Sequence, residues 1–265
     1  MDWAGQHGRA ARPAADPGFW ARDALLADIG ARLRDGFGFS IVTLNLDHVV
    51  KLREDGAFRA AYAAHSHVTA DGHPIVWLER LAGRRAERVA GSDLVLPLAR
   101  VAAEAGAPVA FVGSNPESLA GAEAELSRRV PGLRVALRIA PPHGFDPASG
   151  TADEVISAVG RSDARLCFVA LGAPRQELFA SRAQKALPHM GFASVGAGLD
   201  FISGHQVRAP AVLQALAMEW LWRLVRDPGR MMPRYARCGA VLPALAISAI
   251  RRRGSGGGEV ADGAP

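Results

Sequence analysis

Residues 166–177, LCFVALGAPRQE, constrain the fold more than any other stretch of the chain. Leu166, Cys167, Phe168, Val169, Ala170 and Leu171 form an unbroken apolar run that stops at Gly172, and Pro174, Arg175, Gln176 and Glu177 then open an amphipathic stretch. Such a run suits a strand buried on both faces, which is the rule in parallel sheets covered by helices. Polar groups placed directly after such a strand face the crevice where open α/β sheets bind ligands. An ordinary strand-to-helix turn, with Gly172 relaxing the backbone and Pro174 in the first helical turn, fits the same residues.

The pattern recurs. Strands are expected at 39–45 (FSIVTLN), 67–70, 108–113 (PVAFVG), 133–139 and 192–196, each followed by a helical or turn-rich segment and none by a hairpin signal. That alternation predicts an α/β fold with a mostly parallel, Rossmann-like sheet and flanking helices. With 265 residues and 49% hydrophobic content the chain can bury a sizeable core. The expected organisation is a disordered leader over 1–18, an α/β core over 19–208, a basic helical appendage over 209–250 and a flexible tail over 251–265. Ser92 reads as the N-cap of a helix running to Glu104. Pro228 and Pro233 are expected to divide the appendage into two short helices.

Charge is unevenly placed. Nine arginines lie between Arg208 and Arg253 against only Glu219 and Asp227, while the chain as a whole carries +5. Arg223, Arg226, Arg230, Arg234 and Arg237 follow at steps of three and four, as one helical face requires. Guanidinium groups so arranged suit phosphate or a membrane surface, and a solvated face in an arginine-rich chain is the plainer alternative. Trp220, Trp222 and Tyr235 interleave with them, with core packing as their ordinary role. The apolar run at 240–250 is about half the ~20 residues needed to span a bilayer. No secretory signal is evident, and Cys167 and Cys238 read as buried, inert thiols.

Polar residues follow nearly every expected strand: Thr43 and Asn45, Asp71, Ser114 and Asn115, His143, Gln176 and Glu177, and Asp200. In a parallel sheet these ends converge on one edge. Asp71, with His67 and His73 nearby, is a candidate general base, although Asp-Gly is also a common turn pair. Gly196 and Gly198 give only a weak dinucleotide signal, because Phe201 stands where a third glycine belongs and no helix clearly follows. Walker, Gly-x-Ser-x-Gly and His-Glu-x-x-His motifs are missing, as is any Asp-x-Asp pair. A Rossmann-type oxidoreductase and a non-enzymatic module binding anionic surfaces stay open on these residues alone.

In order along the chain, Thr43-Leu44-Asn45, Asp71-Gly72, Glu87-Arg88-Val89-Ala90-Gly91-Ser92-Asp93, Gly172-Ala173-Pro174-Arg175-Gln176-Glu177, Gly198-Leu199-Asp200-Phe201, Arg208-Ala209-Pro210 and Glu219-Trp220-Leu221-Trp222-Arg223-Leu224 resemble the WecG/TagA/CpsF family of bacterial glycosyltransferases. The resemblance implies inverting, metal-independent transfer of an N-acetylmannosamine-type sugar or a hexose. The donor is a UDP-sugar, a substrate rather than a cofactor, and the acceptor a polyprenyl-diphosphate-linked saccharide. By matching position Asp71 is the general base and Thr43 and Asn45 are donor-side contacts. Arg88, Gln176 and Asp200 are nucleotide or diphosphate ligands, and Phe145 is the aromatic near the base. Here the family usually reads His-Gly-Tyr-Phe and this chain His143-Gly144-Phe145-Asp146, one aromatic short. Arg223, Arg226, Arg230 and Arg234 are expected at the acceptor diphosphate or the membrane. The implied location is the cytoplasmic face of the bacterial inner membrane, with no nucleic-acid partner.

Overall fold

The computed structural model of the protein describes residues 18–255. The expected leader, save Gly18, and residues 256–265 of the expected tail lie outside the described residues. Helix α1 (Arg22–Asp35) leads to β1 (Phe39–Leu44), α2 (Leu46–Glu54), α3 (Gly56–Ala63) and β2 (His67–Ala70). Then come α4 (His73–Leu81), α5 (Gly91–Glu104), β3 (Val109–Gly113), α6 (Pro116–Arg129), β4 (Val135–Ile139) and α7 (Gly150–Arg161). Strand β5 (Leu166–Ala170), α8 (Arg175–Ala186), β6 (Gly191–Ser194) and α9 (Gly198–Ser203) complete the α/β part. Helices α10 (Ala211–Ala215), α11 (Glu219–Arg226) and α12 (Pro228–Ser255) follow.

The six strands form one all-parallel sheet in the order β2-β1-β6-β5-β3-β4, the Rossmann-like architecture that the apolar runs predict. Side chains alternate across it with the two-residue period of a strand. Val109 and Phe111 of β3 join Leu166 and Phe168 of β5 in a cluster with α1, α5 and α6. Ala110, Val112, Cys167 and Val169 turn the other way, into a cluster with α7 and α8. A third cluster gathers Val42 and Leu44 of β1 with residues of α2, α3, α4 and α12. Both faces are therefore dry, which is why the strands read as continuous hydrophobic runs. Cys167 and Cys238 are free and buried, as expected.

Register fixes what reaches the edge. Thr43 pairs with Thr69 and Leu44 with Ala70, while Val169 pairs with Ser194. The residues after β1, β2, β5 and β6 thus emerge together at the carboxyl edge.

Several local expectations change. Helix α5 begins at Gly91 behind Ala90, without a side-chain cap, so Ser92 lies inside it. A helix does follow Gly196: α9 packs against α5 closely enough that a Cβ on Gly198 would sit 2.7 Å from Val95 Cγ2. The appendage breaks before Pro228, yet Pro233 and Pro243 lie inside one 28-residue helix that continues through residues 251–255. Each proline removes one backbone donor. Tertiary contacts hold the helix nonetheless: Arg234 pairs with Asp47 at 3.2 Å and Arg237 with Glu54 at 3.8 Å. Leu245 and Ala249 are buried beside residues of α2 and α4, and a fully buried leucine contributes about 1.5–3 kcal/mol. Trp220 is half exposed rather than core. Among the described residues no helix is long and apolar enough to cross a membrane.

Candidate active site

A cavity of about 690 Å³ opens at the carboxyl edge of the sheet, between the ends of β1, β2, β5 and β6 and the helices α11 and α12. That is a volume suited to a ligand of nucleotide-sugar size. Thr43, Asn45, Asp71, Gln176, Asp200 and all four expected arginines line it. Residues scattered over nearly two hundred positions meet because parallel strands end together.

Asp71 leaves β2 with its backbone N–H bonded to Leu44 O at 2.8 Å, which pins the residue beside β1. Gly72, at φ +86°, then turns the chain into α4 in a conformation that side chains resist. Thr43 Oγ1 donates to Asp71 Oδ2 over 3.4 Å. Burial pushes the Asp71 carboxyl above its ordinary range, and Arg223 and Arg88 pull it back. A carboxylate held this way is a better proton acceptor than one in water.

Asn45 caps α2, its Oδ1 accepting the His48 backbone N–H at 3.0 Å. Its amide N–H groups are what it has left for a ligand. Gln176 is buried at the start of α8. Its Oε1 accepts from Gly196 N at 3.0 Å and its Nε2 donates to Glu177 Oε1 at 2.8 Å, tying the β5 loop to the β6 loop. Asp200, in the first turn of α9, accepts from Ser114 and Ser118 on Oδ1 and from Gln206 Nε2 on Oδ2. These bonds fix the carboxylate's direction before any ligand arrives.

Two expected residues stand apart. Arg88 is not among the residues lining the cavity: it reaches Asp93 Oδ2 at 3.4 Å, and Asp93 in turn holds Arg208, which does line it. Phe145 is buried in the core, edge-on to Phe179 with ring centroids 5.9 Å apart. His67 is likewise remote from the cavity, at the opposite end of β2 and bonded to Asp28 Oδ2 at 2.9 Å.

The structure adds residues that the sequence did not single out: Asp47, His48 and Lys51 come from α2. It also brings in Arg175 from α8 and Trp222 from α11, both named above without a donor-site role, with the Arg226 guanidinium 5.2 Å from the Trp222 ring centroid. The available signal was position: α2 starts immediately after Asn45, so its first turns face the crevice. Seven Lys or Arg side chains against five Asp or Glu line the cavity, an excess that favours an anionic ligand. Among the described residues no group of three His, Cys, Asp or Glu side chains is arranged to hold a metal ion.

Fold and cavity together define a Rossmann-like α/β protein with a cation-rimmed ligand crevice at the strand ends. The Glycosyl transferase WecG/TagA/CpsF family model matches residues 20–256, and the chain belongs to that family. It is accordingly a glycosyltransferase of cell-wall polymer and polysaccharide synthesis, working between a nucleotide-sugar donor and a saccharide acceptor.

Proposed function

We propose that the protein transfers an N-acetylmannosamine-type sugar or a hexose from a UDP donor to a polyprenyl-diphosphate-linked saccharide, with inversion and without a metal. The observation that carries this reading is that Asp71 and the arginines of α11 and α12 line one cavity. An inverting transfer needs one base and a stabilised leaving group, and no covalent nucleophile.

In this reading the acceptor hydroxyl gives its proton to Asp71 while its oxygen bonds to the anomeric carbon. The bond from that carbon to the diphosphate oxygen breaks on the opposite side, and its electron pair leaves with UDP. Thr43 orients Asp71. Asn45, Gln176 and Asp200 hold the donor, with Arg88 supporting the site through Asp93. Arg223, Arg226, Arg230 and Arg234 offset the diphosphate charges through paired hydrogen bonds.

The same arginines suit a membrane-bound acceptor. Trp220, Val225 and Met232 are exposed on α11 and α12, beside those arginines. Apolar and basic groups side by side fit the cytoplasmic headgroup layer of a bacterial inner membrane. The deciding experiment offers a panel of UDP-sugars with a short-chain polyprenyl-diphosphate saccharide in vesicles. The expected product gains one sugar by mass, with inverted anomeric configuration. Transfer from no UDP-sugar, or with retention, defeats the reading.

A further inference from the structure

At the cavity wall and directly behind it lies a pair of buried titratable side chains for which the proposed transfer has no use: His48 is among the lining residues and Glu177 is not. Glu177 is 0% exposed and His48 3%. His48 Nδ1 lies 2.7 Å from Thr43 O, and a carbonyl only accepts, so Nδ1 carries a proton. In a neutral imidazole Nε2 is then a bare acceptor, and it faces Glu177 Oε1 at 3.9 Å. That oxygen already accepts from Gln176 Nε2, while Glu177 Oε2 is buried with no hydrogen-bond partner. Two facing acceptors, one of them a carboxylate shut off from water, are unfavourable unless a further proton lies on one of them.

We propose that His48 and Glu177 are positioning residues that as a pair retain one proton, and that this proton keeps Gln176 set for the donor diphosphate. The proposal rests on the cavity being the UDP site. With the proton present, the pair carries no net charge and Gln176 keeps one amide hydrogen for a ligand. Once it is lost, an unshielded carboxylate sits one residue from Gln176 and opposes the incoming diphosphate.

The surroundings agree. From α2, Asp47 and Lys51 act on Glu177 in opposite senses, and those two residues are themselves paired. Tyr62 of α3 is buried beside it, and from the turn after α3 His65 Nε2 donates to Glu177 O at 3.2 Å, both uncharged at neutral pH. Arg234 of α12 is turned to Asp47. Burial lifts the Glu177 carboxyl to about 7 and lowers His48 to about 4, so the proton resides on Glu177 and leaves near neutrality.

The test is UDP binding by calorimetry from pH 6 to 8.5, wild type against Glu177→Gln. Glutamine imitates the protonated acid, and the ratio of the two affinities cancels the titration of UDP itself. At pH 6 the two proteins should agree within about threefold, and by pH 8.5 the variant should bind about tenfold more tightly. A pH-independent ratio overturns the proposal. Should Glu177→Gln fail to fold, His48→Asn decides. It keeps a donor for Thr43 O but withdraws the atom facing Glu177, so the loss of affinity must begin at lower pH than in wild type, and an unmoved profile is fatal. If folded wild type binds no UDP at any pH, the donor-site reading fails instead. The retained proton is then judged by the melting temperature of Glu177→Gln minus that of wild type. This difference must rise between about pH 4.5 and 7, and a flat difference overturns the pair as well.

Discussion

Thr43 and Asp71, 28 residues apart in the chain, meet at the carboxyl edge of the sheet with Thr43 Oγ1 3.4 Å from Asp71 Oδ2. The contact is a product of register, since Thr43 is level with Thr69, two residues before Asp71. It gives the carboxylate a fixed orientation and leaves its other oxygen for a substrate proton. Asp71→Asn should therefore lower transfer by roughly 10²-fold or more while UDP binding by calorimetry changes little. Near-normal turnover in that variant removes Asp71 from the base role.

The proton acceptor must be ionised, so kcat/KM should fall as pH drops through the Asp71 pKa. Burial places that limb above the ordinary carboxylate range, and Arg223 is the first of the charges holding it down. Arg223→Gln should shift the acid limb to higher pH and lower the rate at its optimum by about tenfold or more. An acid limb that stays put argues against any electrostatic contact between the two.

Stability should respond to acid through the buried histidines. His48 and His65 are each lowered to about 4 by burial, against roughly 6.5 for an unfolded chain. A folded-state pKa that is lowered means stability present above the unfolded value and lost as pH falls from about 6.5 toward 4. Glu177, lifted to about 7, acts the opposite way, its stabilisation being lost as pH rises toward that value. Two histidines outweigh one carboxyl, so these groups lower the melting temperature on acidification. His65→Gln, which keeps a donor for Glu177 O, should make the acid loss shallower. The two proteins melting in parallel from pH 7 to 4 refutes the assignment for His65.

Much of the cavity lining was readable from strand ends alone. Thr43, Asn45, Asp71, Gln176 and Asp200 each lie at or after the end of an expected strand, and parallel pairing brings such positions together whatever their separation in the chain. Phe145 was not readable, because an aromatic in a Pro/Gly-rich loop packs inward or outward according to its neighbours, and here Phe179 takes it inward. Arg88 sits one neighbour back for a similar reason: Asp93 intercepts its guanidinium. Local propensity misplaced the end of the chain as well. Pro233 and Pro243 argue for breaks, but ion pairs to α2 and buried Leu245 outweigh the lost backbone bonds.

The arginine face yields the last prediction. Arg226 and Arg230 are exposed at the cavity rim, on either side of the break between α11 and α12. Arg230 is paired at the surface with Asp227, at 2.7 Å, and Arg226 lies over Trp222. Surface pairs of this kind contribute at most about 1 kcal/mol, so replacing both arginines should leave the melting temperature nearly unchanged. Each basic residue near an anionic surface is worth about 1 kcal/mol of attraction. Arg226→Ser combined with Arg230→Ser should accordingly weaken sedimentation with anionic vesicles by about tenfold or more, and wild-type binding should itself fade with added salt. Truncation after Ala209 is a blunter probe, because it also strips Leu245 and Ala249 from the core. If the double variant sediments with vesicles as wild type does, at low salt and at high, the arginine face serves the cavity alone and the membrane contact lies elsewhere.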